Sequence, residues 1–346
     1  MGGGKRMGGG KRMGGGKRMG GGKRMGGRAG ARVSAGVTVH ALVLGALLVG
    51  GATPAFAARP AHNGGGGGGG GGGTTTGFDV SYPQCGTTLP TSTAFGIVGV
   101  NNGRASDFNP CFAPSLSYPA YTQSELYWAV STATGTANLT SKALLYVNTA
   151  DPGNVYNGQV IGDWPTSSGQ ISDPYSACTS TSITVSGVSY NVGLNNNACA
   201  WQYGYNMAQA DAASLTSAAT AIANQESTVH VPATPSSYPW WLDVETANTW
   251  QADTSMNVAD LQGMIAGLEA AGVSYSYLGV YSTSSQWNSI TGGTTSASGS
   301  LYGLANWIPG ARTLRGAESN CKLPSFTGGP VAITQWTGTI DNDYAC

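Results

Sequence analysis

The chain has 346 residues, with 55 glycines, 16 basic and 16 acidic residues and a formal net charge of zero. That balance hides a split: ten of the sixteen Lys and Arg lie in residues 1–32, and beyond residue 57 six basic residues face all sixteen acidic ones, a net charge near −10. So acidic a body lacks the Lys and Arg that neutralise phosphates, which argues against nucleic acid as a partner and against electrostatic docking on an anionic surface.

The first segment repeats GGGKRM four times and is followed by an apolar run ending in Ala55-Phe56-Ala57. A basic start, an apolar stretch and a small-x-small ending read as a secretory signal cut after Ala57, so the mature protein is expected outside the cell with no stable membrane insertion. A retained anchor is the competing reading, but the glycine-interrupted run is short of the roughly 20 residues a span needs. Ten consecutive glycines, 64–73, and three threonines then form a linker over 58–76. The folded domain is expected at 77–346, about 270 residues, within the usual size of one α/β barrel.

Eight short apolar runs recur through that domain: FDVSY (78–82), FGIVGVNNG (95–103), ALLYVNTA (143–150), PWWLDVET (239–246), YLGVYST (277–283), YGLANWI (302–308), VAITQWT (331–337) and IDNDY (340–344). Helical spacing separates several of them, clearest at 255–272 and in an Ala-rich stretch at 201–225. Strand and helix alternating in this number predict an α/β fold, a (β/α)8 TIM-like barrel. Residues 152–200 break the alternation. Rich in Ser, Thr, Asn and Gly, they read as an insertion after strand 3 with a hairpin at 183–192, either walling a cleft or decorating the surface.

Six cysteines follow the expected cut, an even number that in an exported chain reads as disulfides. Of fifteen connectivities the local one, 85–111, 178–199 and 321–346, is expected. With no C-x-x-C pair and only His62 and His230 beyond the cut, no zinc site is expected. No metal or organic cofactor is called for, and a monomer is expected.

The chemistry concentrates in YPWWLDVET (238–246). Strand alternation puts Trp241, Asp243 and Glu245 on one face and Trp240, Leu242 and Val244 on the other, so the carboxylates point into the barrel at its C-terminal mouth. A structural ion pair is a weak alternative, because the domain offers five basic residues against sixteen acidic ones. Calcium binding is another, since carboxylates and carbonyls can hold it. Two adjacent carboxyls that repel each other and share a proton supply the acid and the anion that glycoside cleavage needs.

FDVSYPQ at the start, LDVE in a middle strand, AITQWTG and IDNDY at the end resemble, in order and spacing, glycoside hydrolase family 25, the secreted lysozymes that cleave peptidoglycan; AQAD (208–211), GVYST and LANW fit the same order. The resemblance covers residues 77–346. It implies that Glu245 is the proton donor, that Asp243 stabilises developing positive charge or positions the N-acetyl group, and that Asp79 and Asp341 are the two further acids, with Asp343 next in line. Tyr82, Trp241, Tyr281, Trp307 and Trp336, near strand ends, are candidate faces for stacking sugar rings. The chain departs from the family in its second strand, ending in GVNNGRA, in its third, ending in YVNTA, and in the insertion. Two rivals remain: a barrel that binds sugar without turnover, and a family 18 chitinase-like enzyme, disfavoured because SSYPWW stands where that family carries aspartates.

Overall fold

A computed structural model describes residues 75–101, 105, 107–169, 173–293 and 300–346. The expected export signal and nearly all of the glycine linker lie outside the described residues.

Eight strands close into a barrel: β1 (Thr76–Val80), β2 (Gly96–Gly99), β3 (Ala143–Asn148), β8 (Trp240–Asp243), β9 (Leu278–Tyr281), β10 (Ala305–Ala311), β11 (Val331–Trp336) and β12 (Asp341–Ala345), paired around the ring in the order β1, β12, β11, β10, β9, β8, β3, β2. They are the eight runs read from the sequence. Seven are parallel. β12 runs antiparallel to both β1 and β11, because the four residues 337–340 between β11 and β12 are too few for the crossover a parallel return requires. The barrel is therefore mixed, close to the expected TIM-like form but not identical to it.

Five helices are described: α1 (Glu125–Thr132), α2 (Asn197–Ala223), α3 (Thr254–Ala270), α4 (Ser284–Thr291) and α5 (Leu314–Asn320). Their ends follow local chemistry. Asn196 caps α2 by accepting from Cys199 N at 3.0 Å, and Asp253 caps α3 by accepting from Ser255 N at 3.0 Å. The α2 and α3 backbones press together through glycines, since a Cβ on Gly263 would lie 1.9 Å from the Trp201 carbonyl oxygen. Among the described residues no helix is long and apolar enough to cross a membrane.

Strand alternation separates two apolar layers. Trp240, Leu242 and Val244 face outward into the core shared with the helices, while Trp241 joins Phe95, Ile97, Leu144, Trp307 and Ile333 inside the barrel. Gly279 makes room for this filling: a Cβ there would come within 2.3 Å of the Trp241 ring.

Between β3 and α2 lies the expected insertion. It contains a small hairpin, β4 (Val155–Tyr156) with β5 (Gln159–Val160), and a longer one, β6 (Ser180–Val185) with β7 (Val188–Gly193). Cysteines pair 85–111, 178–199 and 321–346, as local connectivity predicted.

Replacing Gly279 with Ala should overpack the barrel interior and cost about 1–3 kcal/mol. Thermal unfolding should show a lowered Tm, regained in part by adding Trp241→Phe; an unchanged Tm would contradict this account of the interior.

Candidate functional site

The inward row that fills the lower barrel with Trp241, Ile97 and Leu144 continues upward into polar residues at the C-terminal ends of the strands. A cavity of about 350 Å³ opens there, and Asp79, Asp243, Glu245 and Asp341 all line it. Asp79 ends the inward face of β1 and is paired in register with Asp341 of β12; Asp243 is the last residue of β8, and Glu245 follows two residues on. Four acids far apart in sequence thus meet because β1 and β12 adjoin where the ring closes. Among the described residues, no basic side chain lines the cavity.

The segment that carries the central pair is held by its backbone. The Asp243 carbonyl accepts from Thr149 Oγ1 at 2.7 Å and Asn248 Nδ2 at 3.2 Å, and the Glu245 carbonyl accepts from Trp250 Nε1 at 2.7 Å. Both residues line the cavity. Asp243 is 7 % exposed, whereas Glu245 is half-buried. Burial first, then the charges of Glu245 and Asp79, lift the Asp243 carboxyl well above the usual range. Burial also raises Glu245, against a hydrogen bond from Gln286 that favours its ionised form.

On the opposite wall, Tyr281 Oη donates to Gln335 Oε1 at 2.9 Å, and Gln335 Nε2 donates to Asp79 Oδ2 at 2.9 Å. Trp307 Nε1 donates to Asp343 Oδ1 at 2.8 Å, and the neighbouring Asp79 raises the Asp343 carboxyl further after burial. Burial pushes Asp79 to about 6 and Asp343 much further, so of the two it is Asp343 that keeps a proton. Asp343, completely buried, is the acid the sequence placed only next in line; it sits beneath the cavity, while Asp341 lines it and is raised by partial burial.

The aromatic candidates divide. Tyr82, Tyr281 and Trp307 line the cavity, with Trp307 meeting Tyr281 edge-to-face at 4.5 Å. Trp241 does not reach it: fully buried one layer below Asp243, it packs under Trp307 at 6.0 Å. Trp336 does not line it either, because alternation along β11 turns Gln335 inward and Trp336 away. Sequence reasoning passed over Gln335, Tyr146 and Asn148, which also line the cavity. Each is an inward residue late in its strand, the same signal that identified Asp243.

A family profile described as "Lysozyme-like protein 1" matches residues 236–304, the segment containing Asp243 and Glu245. Over this segment the chain is similar to lysozymes. Two Dictyostelium discoideum proteins, "Probable GH family 25 lysozyme 4" and "Probable GH family 25 lysozyme 2", are each 43 % identical, over 67 and 58 residues, or 19 % and 17 % of this chain. The matches span 30 % and 26 % of those relatives, less than a third of their length. The resemblance to family 25 read from the ordered motifs thus recurs in these matches. A bacterial lysozyme structure from Streptomyces coelicolor aligns over 79 % of this chain and 92 % of its own, at 14 % identity and a TM-score of 0.38.

Raised carboxyls tie stability to pH. A folded-state value above the unfolded one means that the native state binds more protons between the two, so this part of stability is full below about pH 4 and is lost as pH rises through the folded value, about 6 for Asp79. Asp343→Asn keeps an acceptor for Trp307 while removing the titrating group. Its Tm should fall less steeply than the parent's between pH 4 and 7 in a calorimetric series; parallel curves would refute the assignment of the proton to Asp343.

Proposed function

We propose that this chain is a glycoside hydrolase that cleaves the β-1,4 bond next to N-acetylmuramic acid in bacterial cell wall, acting outside the cell. The observation that carries the reading is the unequal pair at the end of β8: one carboxyl enclosed, its neighbour half-exposed at the opening, both lining one cavity.

In this reading Glu245 protonates the departing glycosidic oxygen. A sugar entering the cavity displaces water from its half-exposed carboxyl, and that desolvation draws the proton of the pair from Asp243 to Glu245, leaving Asp243 as the anion. As the bond breaks, positive charge develops at the sugar ring beside the anionic Asp243, which stabilises it or holds the substrate's N-acetyl group; water then adds at the sugar carbon and its proton returns to Glu245. Asp79 and Asp341 close the opposite wall. Gln335, donating to Asp79, and the proton held on Asp343 keep that wall from accumulating full negative charge. The exposed Tyr82 and half-buried Tyr281 offer faces for the sugar rings, with the buried Trp307 packed behind Tyr281. The lysozyme-like profile matching the segment with Asp243 and Glu245, together with the partial similarity to family 25 lysozymes, supports the same choice of substrate.

Glu245→Gln should lower turnover by about 10²- to 10⁴-fold with the fold intact. Loss of turbidity of purified wall suspensions and release of reducing ends would measure it. Wild type and variant equally inert on walls and on chitin oligomers would sink the proposal; retention on the wall without release would favour a barrel that only binds.

A further inference from the structure

The insertion carries a surface the catalytic cavity does not use. The β6–β7 hairpin turns through Ser186 and Gly187, both at positive φ (51° and 79°), the two-residue turn that matches strand twist. Its register pairs Ile183 with Tyr190 and Val185 with Val188, so these four side chains share one face, while Ser182, Thr184, Ser189 and Asn191 share the other. A hairpin packed on a core would bury the apolar face. Here Val188 is 52 % and Tyr190 39 % exposed, and the polar face is exposed as well. Ile183 and Val185 on the partner strand are half-buried, and full burial comes only at the base, with Val192 and Gly193. An isolated two-stranded hairpin is marginally stable in water, and this one is closed at its base by the Cys178–Cys199 disulfide and by Leu194 N donating to Thr179 O at 2.8 Å. The fold thus holds out an apolar stripe that its own core does not need.

Two observations indicate what the stripe meets. No residue between Asp173 and Asp211 is charged, although the chain beyond residue 57 is strongly acidic. An uncharged polymer rich in hydroxyl and amide groups can settle there without desolvating a charge, whereas a polyanion would be repelled by the surrounding domain. The base of the hairpin is also continuous with the catalytic rim. Asn154 Nδ2 donates to Gly193 O at 2.9 Å, and Asn195 Nδ2 donates to Gln251 Oε1 at 3.2 Å. Gln251 belongs to the loop whose Ala247 and Asn248 line the cavity, and Asp151 N donates to Thr249 O at 2.9 Å in the same loop.

We propose that the β6–β7 hairpin is a docking arm for the uncharged, hydroxyl- and amide-bearing sugar backbone of an amino-sugar polysaccharide, holding insoluble glycan beside the cavity through the Val188–Tyr190 face. The identity of the glycan rests on the hydrolase reading above; the docking role does not. Tyr190 supplies a ring on which the apolar face of a sugar stacks, and Val185 and Val188 extend that contact.

The test uses the full chain carrying Glu245→Gln, so that retention is measured without turnover. Adding Val188→Thr and Tyr190→Thr, strand-compatible changes on an exposed surface, should reduce the fraction retained on insoluble wall and on chitin at least about five-fold. Ser182→Ala with Thr184→Ala, on the opposite face, should leave retention unchanged. Equal retention by the first variant, or an equal fall in the second, would overturn the arm. So would sedimentation showing that the parent is a dimer and the first variant a monomer, since the face would then seat a second copy. If the unsubstituted chain releases no reducing ends yet retention still depends on Val188 and Tyr190, the hydrolase reading fails and the arm stands.

Discussion

The structure turns on carboxyl groups removed from water with too few cations to neutralise them. Asp243 and Asp343 are enclosed at the upper end of the barrel and Asp79 is half-buried beside them, and only five basic residues occur after Gly77 in the whole domain. Ionising all of them at once would cost more than any hydrogen bond returns. The chain meets this by holding Asp243 and Asp343 toward their protonated forms beside Glu245 and Asp79, and by directing the Gln335 amide at the charge that remains on Asp79.

The same physics appears away from the cavity. Asp211 and Asp260, on α2 and α3, are buried and raised well above the usual carboxylate range by loss of water, and Asp151 is pushed to about 7. Such a molecule gains stability from protons at mildly acidic pH. The cavity with its raised carboxyls therefore sits in a fold that favours protonated acids elsewhere as well, and the two properties have one origin in composition.

Much of this is legible in the sequence. Alternation in WWLDVE sorted Trp240 and Leu242 to the helices and Trp241 and Asp243 to the interior, since a period of two leaves no other choice once one side is apolar. Local cysteine pairing held because each pair closes a short loop. Less legible was the direction of β12. Four residues after Trp336 imply a tight turn, yet the barrel analogy implied a parallel return, and geometry prevailed. Depth along a strand was the other blind spot. Trp241 and Asp343 face inward as their positions suggest but lie a layer beneath the cavity, and a single sequence does not mark where filled interior gives way to opening. Trp336 was misplaced for a simpler reason: its neighbour Gln335 occupies the inward position.

Carboxyl carbon chemical shifts, followed by NMR in protein labelled at Asp and Glu side chains, test this account most directly. Asp79 should titrate with a midpoint near 6, while Asp343 keeps its proton well beyond that pH. Both groups titrating as separate, ordinary carboxylates near pH 4 would contradict it.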